Sequence, residues 1–146
     1  MALLIRSAGK EDLGTLSQLM GEITSQEISE QQMGNRLLFV NDSPFDSLYV
    51  CEEDGKILGA FGFRIRENLE EVSRFGEISV LVVSQHARLK GIGRSMMDYA
   101  EQLAREQGCI GTWLVSGFSR EEDAHKFYKQ LGYEVTGYRF VKRINP

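Results

Sequence analysis

Apolar residues recur at the spacing of an α-helix in two stretches near the start of the chain. The first stretch follows Lys10-Glu11-Asp12, and its apolar residues keep a period of about 3.6: Leu13, Leu16, Leu19, Met20 and Ile23. The second runs from residue 27 to about residue 39, with Ile28, Met33, Leu37 and Leu38 on its apolar side. A short apolar strand at 3–6 precedes both. The chain is therefore predicted to start with one strand and two helices.

Strands dominate the next stretch, and strands and helices alternate after it. Residues 41–44 form a turn cluster, and two apolar runs then flank residues 53–56 in the pattern of a β-hairpin. Residues 67–74 form a polar connection. The further predicted elements are strands at 48–52, 57–65 and 77–83, a helix to about 107 that Gly108 ends, a strand at 110–116, a helix at 120–131 and a closing strand at 133–143.

This order of elements predicts a single α/β domain over residues 1–146. A run of antiparallel strands followed by strand, helix and strand gives a mixed sheet with helices on both faces. A chain of 146 residues that is 42% hydrophobic can bury a substantial core without disulfides or a structural metal.

Charge and cysteine content exclude several classes of function. The net charge of −4 argues against general nucleic-acid binding. The only cysteines, Cys51 and Cys109, have no metal-ligand spacing with each other or with His86 and His125, so we expect no metal site and two reduced thiols. No signal peptide and no membrane-spanning run is recognisable, which favours a cytoplasmic protein without a membrane partner.

A glycine loop joins the strand at 77–83 to the helix that follows. It reads Arg88-Leu89-Lys90-Gly91-Ile92-Gly93 and lies on an otherwise acidic chain. Glycines let the backbone turn tightly, and the free amides and positive dipole end of a helix bind anions, above all phosphate. A nucleotide P-loop is disfavoured because no glycine stands five positions before Gly93. A dinucleotide fingerprint is disfavoured because Met96 occupies the place of its third glycine.

What remains, Arg-x-x-Gly-x-Gly after a strand, resembles the acyl-CoA pyrophosphate loop of the GNAT superfamily of N-acetyltransferases. The resemblance covers nearly the whole chain. It implies a GNAT-like central mixed sheet of six or seven strands flanked by about four helices. It also implies acetyl-CoA as cosubstrate, held by the loop and the preceding strand end through Leu81, Val82, Val83, Arg88, Leu89, Lys90, Gly91, Ile92, Gly93, Arg94 and Ser95.

Glu77 is the candidate general base. An amine of pKa about 10.4 must lose a proton near pH 7, and a partly desolvated carboxylate can take it. Glu77 stands eleven residues before Arg88, the interval at which GNAT enzymes that resemble histone acetyltransferases and aminoalkylphosphonate N-acetyltransferases place their catalytic glutamate. Strand alternation puts Glu77 on the sheet face of Ser79, Leu81 and Val83. The alternative is a solvated glutamate at a strand end, and the interval to Arg88 favours the base.

The main chain of Leu81 and Val83 is the next candidate. In the family the strand splays from its parallel neighbour at this point, and its free amides and carbonyls bind the pantetheine arm and the thioester oxygen. The resemblance therefore gives the Leu81 amide a catalytic role as oxyanion donor. Four residues of strand put Glu77 about 13 Å from Leu81, so the base is expected to act directly or through a water.

The helix predicted at 120–131 resembles the second GNAT signature. Ala124 and Phe127 are expected beside the cofactor, and Tyr128 matches the tyrosine proposed to protonate the departing CoA thiolate. A plain apolar face is the alternative for these side chains. Many members carry Asn three residues before the Ala, where it bonds the pantetheine. Glu121 stands there in this chain, so that contact is lost or changed.

The acceptor is expected to be a small-molecule amine. The segments that wall the acceptor cleft in the family carry six acidic residues, which would attract a cation: Glu22, Glu27, Glu30, Glu67, Glu70 and Glu71. The alternatives are a protein or peptide N-acetyltransferase and a non-catalytic CoA-binding regulatory module. A homodimer is a further expectation from the resemblance.

Overall fold

A computed structural model describes residues 2–88, 90–117 and 121–145, without the side chains of Glu121 and Glu122. The chain divides into two compact units, Met1–Thr112 and Trp113–Pro146. The expectation of a single domain stays a prediction. The helices and strands are β1 (Leu4–Ser7), α1 (Leu13–Thr24), α2 (Glu30–Asp42), β2 (Asp46–Glu53), β3 (Lys56–Glu67), β4 (Arg74–Val83), α3 (Ile92–Glu106), β5 (Gly111–Leu114) and α4 (Lys126–Gln130).

The sheet has the order β1-β2-β3-β4-β5. Its first four strands form an antiparallel meander. The turn between β2 and β3 has positive φ at both central residues, 52° at Asp54 and 78° at Gly55, which is the turn that suits a two-residue hairpin. The predicted hairpin is thus confirmed. The α3 crossover leads to β5 beside β4, and together these connections make the predicted mixed sheet.

Helices α1 and α2 cover one face of this sheet. Their buried residues form one core with those of β2, β3 and β4: Leu16, Leu19, Met20, Met33, Leu37, Leu48, Val50, Ala60 and Val82. Helix α2 starts at a capping box, in which the Ser29 hydroxyl accepts from the Gln32 amide and the Gln32 side chain accepts from the Ser29 amide. This Ser-x-x-Gln signal shifts the start of the helix three residues from the predicted one.

Helix α3 covers the opposite face. Its Ile92 and Met96 lie so close to Gly59 that a β-carbon there would be 2.8 Å from the Met96 methyl group. At the other end, Gly108 with φ of 76° ends the helix as predicted. Helices on both faces are therefore confirmed.

The predicted closing strand at 133–143 is wrong, because those residues form no strand in the part of the chain that the structure describes. Apolar side chains of this segment are exposed, among them Val135, Tyr138, Phe140 and Val141. A strand needs a hydrogen-bonded neighbour, and a segment rich in aromatic and β-branched residues does not by itself supply one. The described sheet has five strands rather than six or seven.

Candidate active site

The glycine loop enters α3 through a left-handed residue. Gly91 is the N-cap, with φ of 76° and ψ of 15°, and the first bond of the helix runs from the Ser95 amide to the Gly91 carbonyl at 3.0 Å. No described side chain caps this end. The amides of the first helical turn thus keep their hydrogen-bonding capacity for a ligand. Ile92 is buried in the core, whereas Gly93 and Ser95 are half-buried.

Three cations surround this helix end. Arg88, Lys90 and Arg94 are exposed, and none of them forms an ion pair with another described residue. Uncompensated cations beside free helix amides make this end of α3 suited to a phosphate group. Leu89, also predicted here, lies outside the described residues.

Near the end of β4, the backbone groups of every second residue point toward β3. The Ser84 amide donates to the Leu58 carbonyl at 2.8 Å, and the antiparallel register then continues through Val83, Val82 and Leu81. Hydrogen-bonded and non-bonded pairs alternate in such a ladder. Val82 therefore faces β3 with its backbone groups, while the amides of Leu81 and Val83 point to the other side of β4.

A β-bulge at Ser79 reverses the side-chain phase of β4. Gly62 lies opposite Val80 and Phe63 opposite Ile78, so Ser79 has no partner on β3. Residues directly opposite each other on antiparallel strands share a face.

Glu77 lies opposite Arg64, and Leu81 lies opposite Phe61 on the other face of β3. For this reason the predicted face of Glu77 is wrong with respect to Leu81 and Val83, whereas the Ser79 hydroxyl lies on the Glu77 side of the sheet as predicted. Glu77 shares the α1–α2 face with Val80 and Val82, not the α3 face of Leu81 and Val83.

Glu77 belongs to a ladder of charges across three strands. Its carboxylate accepts from Nε of Arg66 at 2.8 Å and lies 3.6 Å from Nη1 of Arg64. Nε of Arg64 in turn lies 2.5 Å from Oδ1 of Asp46, whose other oxygen accepts from Ser43 at 2.8 Å. Burial opposes ionisation of Asp46, but these two hydrogen bonds hold its pKa below the ordinary value. The Glu77 side chain is 12% exposed, so it is partly desolvated.

A cleft of about 720 Å³ lies between α1, α2 and the strands β2 to β4. We call it the α2 cleft. Its floor is apolar, with Met20, Ile23, Ile28, Met33, Leu48 and Val80. Its charged residues are Glu27, Arg36, Asp46 and Arg64, and the bulge residue Ser79 also lines it. Glu77 is not among the described lining residues, and it contacts the cleft residue Arg64.

The second unit carries the remaining predicted residues. A π-helical turn at Glu121–His125 leads into α4, a shorter α-helix than predicted. Ala124, Phe127 and Tyr128 are half-buried. The Tyr128 ring packs edge-on against Phe127 at 5.3 Å and against Tyr133 at 6.1 Å between ring centres. These contacts fit both a packed aromatic face and a held phenol.

The comparisons with known proteins assign the family. The model described as "Acetyltransferase (GNAT) family" matches residues 16–133. The chain belongs to this family. An aminoalkylphosphonate N-acetyltransferase of Salmonella typhimurium is 28% identical to it over 140 residues, which is 96% of this chain and 90% of the relative.

Solved structures share the GNAT fold. A transcriptional regulator from Bacillus halodurans matches with a TM-score of 0.89 at 20% identity, over 98% of this chain and 100% of that one. An aminoglycoside N-acetyltransferase in complex with CoA matches with a TM-score of 0.84 at 15% identity, over 97% of this chain and 94% of that one.

This GNAT protein is an acetyl-CoA-dependent N-acetyltransferase, as its family and relatives indicate.

In the described residues, no group of three or more His, Cys, Asp or Glu side chains could hold a metal ion. Nor is any described helix long and apolar enough to cross a membrane. His125 bonds the Gly117 carbonyl at 3.0 Å.

Sequence reasoning missed Arg36, Asp46 and Arg64 as residues of the α2 cleft. Asp46 and Arg64 stand opposite each other on β2 and β3, so the register of the predicted hairpin could have paired them. Arg36 carries no such signal, because its place follows from the packing of α2 on the sheet.

Proposed function

We propose that this enzyme acetylates a primary amine of a small molecule, by direct transfer from acetyl-CoA in a ternary complex. The observation that carries the proposal is the α2 cleft on the same sheet face as the Ser79 bulge. Its volume of about 720 Å³ is in the range of small-molecule sites. The aminoalkylphosphonate N-acetyltransferase relative supports an acceptor of that size.

The donor is proposed to bind where β4 leads into α3. The pyrophosphate would accept hydrogen bonds from the first amides of α3 and pair with Arg88, Lys90 and Arg94, which have no other ion-pair partner in the described residues. The pantetheine arm would then run along the outward-facing backbone groups of Leu81 and Val83.

In the proposed reaction Glu77 first takes a proton from the ammonium group, and the neutral amine nitrogen then attacks the thioester carbonyl carbon. A C–N bond forms, and the Leu81 amide stabilises the negative charge on the carbonyl oxygen. The tetrahedral intermediate then collapses with breakage of the C–S bond. The thiolate takes a proton from the Tyr128 phenol, and the second proton lost by the nitrogen returns the phenol to its protonated form.

The Ser79 bulge shortens the path from Glu77 to Leu81. Their partners on β3 are Arg64 and Phe61, three residues apart, which corresponds to about 10 Å of strand rather than about 13 Å. This span requires one or more waters between Glu77 and the amine. The alternative role of Glu77 is purely structural, as an ion-pair partner of Arg66 and Arg64.

Replacing Glu77 by Gln tests the base. At pH 7 we expect kcat to fall about 100-fold, the usual contribution of general base catalysis, while the Kd of acetyl-CoA stays unchanged. The assay follows thiol release from acetyl-CoA across a panel of small amines and peptides. The matched control is Glu101→Gln, which removes an exposed carboxylate paired with Arg105 on α3. Equal kcat values for the two variants would remove Glu77 from the mechanism, and acetylation of peptides alone would refute a small-molecule acceptor.

A further inference from the structure

Most of the acidic residues expected to attract a cationic acceptor lie outside the described lining of the α2 cleft. Of the six, only Glu27 is a described lining residue of the α2 cleft. Glu22 accepts from the Gln85 amide at 3.3 Å, and Glu67 pairs with Arg74. The four charged residues that line the cleft carry two negative and two positive charges. The cleft therefore does not favour a purely cationic ligand.

The two arginines of the α2 cleft differ in their availability. Arg64 is held by Asp46 at 2.5 Å and by Glu77 at 3.6 Å, so its charge is already compensated. Arg36 is exposed and has no ion pair with any described residue. Arg36 is thus the cleft's available guanidinium, a group that binds carboxylate and phosphonate oxygens in a bidentate manner.

Only β3 separates the strand on which α2 packs from the strand of the proposed reaction. Helix α2 packs on β2, and the attacked carbonyl is proposed to lie at Leu81 on β4. Adjacent strands are about 4.8 Å apart, so β2 and β4 are separated by about 10 Å. A short molecule with an amine at one end and an anionic group at the other spans part of this gap, and the long Arg36 side chain spans the rest.

We propose that Arg36 is a specificity-determining residue, which binds an anionic group carried by the amine that the enzyme acetylates. This inference rests on the proposed function and gives the acceptor a chemical class: a short amine with a carboxylate or phosphonate. Glu27 provides the opposite charge in the same cleft.

The test compares acetylation of 2-aminoethylphosphonate, β-alanine and ethanolamine by the wild-type protein and by Arg36→Gln. We expect Arg36→Gln to raise KM for the anionic amines by about 10- to 100-fold, the effect of losing a charge-assisted hydrogen bond. Its kcat, its KM for acetyl-CoA and its KM for ethanolamine should change less than about twofold. Arg36→Lys should restore part of the affinity. The control Arg105→Gln removes an exposed arginine on α3 and should match wild type.

Comparison of the two anionic amines, 2-aminoethylphosphonate and β-alanine, distinguishes a phosphonate site from a carboxylate site. Calorimetric titration of 2-aminoethylphosphonate and β-alanine into the CoA-saturated protein provides a readout without turnover. If Arg36→Gln weakens this binding but no amine is acetylated by wild type, the proposed function fails, and only the binding of an anionic amine by Arg36 is supported. If amines are acetylated but Arg36→Gln changes KM equally for ethanolamine and the anionic amines, or wild type prefers ethanolamine, the role of Arg36 is refuted.

Discussion

Two glycines at opposite ends of α3 allow the phosphate site to be tested against a matched control. Gly91 and Gly108 both have φ of 76°, and a β-carbon at either would meet nothing within 4 Å. The cost of a side chain is therefore backbone strain alone, about 1–2 kcal/mol for a residue forced into the left-handed region. At about 4 °C per kcal/mol, Gly91→Val and Gly108→Val should each lower Tm by about 4–8 °C.

The two variants should differ in acetyl-CoA binding. Only Gly91 precedes the free amides of α3, so relaxation of its strained φ would turn those amides away from the pyrophosphate. Loss of one or two charge-assisted hydrogen bonds corresponds to about a 10- to 100-fold increase in Kd. Gly108→Val should leave Kd within about twofold of wild type.

Calorimetric titration with acetyl-CoA gives the Kd of each variant, and thermal melting gives its Tm. The phosphate site at α3 would be refuted if Gly91→Val bound acetyl-CoA with the wild-type Kd although its Tm fell as much as that of Gly108→Val. Equal losses of affinity in the two variants would show that the effect is general destabilisation.

Two further predictions concern the first unit. Asp12 is 3% exposed and accepts from Arg6 at 2.8 Å and 2.9 Å and from the Gly9 amide at 2.7 Å; the Arg6 hydrogen bonds are the main reason that its pKa is lowered. Asp12→Asn should thus lower the free energy of unfolding by about 3 kcal/mol at pH 7. A carboxyl whose pKa is lowered by folding stabilises the folded state only while it is ionised, so the difference from wild type should shrink as the pH falls below the pKa of about 3.9 in the unfolded chain. A constant difference in denaturant melts from pH 7 to pH 2.5 would contradict this. Burial raises the pKa of both thiols, but Cys51 is fully buried and Cys109 only partly, so native protein should be alkylated at Cys109 first and at Cys51 only after unfolding. Peptide mass spectrometry can show this, and equal native labelling would refute it.

Local signals explain most of what the sequence could predict. The period of α1, the Asp54-Gly55 turn and the Gly108 helix end depend on neighbouring residues, and all three are confirmed. The segment at 133–143 shows the limit of such signals. Its aromatic and β-branched residues are a property of the segment, whereas a strand also requires a partner elsewhere in the chain.

The candidate site could be predicted in its backbone parts and not in its side-chain parts. Gly91 could be recognised because glycine adopts the left-handed turn more easily than other residues, and free amides are present at the start of every helix. The environment of Glu77 depends instead on which strand residues stand opposite it. Arg64 is brought there by the register of β3 and β4, which the alternation within β4 alone does not determine.

The Ser79 bulge connects these observations. Without the extra residue, strand alternation would place Glu77 on the α3 face with Leu81, where a charged side chain would meet the apolar packing of α3 on Phe61 and Phe63. With the bulge, Glu77 lies on the face of the α2 cleft beside Arg64, while the Leu81 side chain stays on the α3 side. The bulge thus keeps the carboxylate on the cleft side without burying an unpaired charge, and it brings that carboxylate about 3 Å nearer along the strand to the outward-facing Leu81 amide. Ser79 is for this reason the residue through which the fold of β4 determines the chemistry proposed for the site.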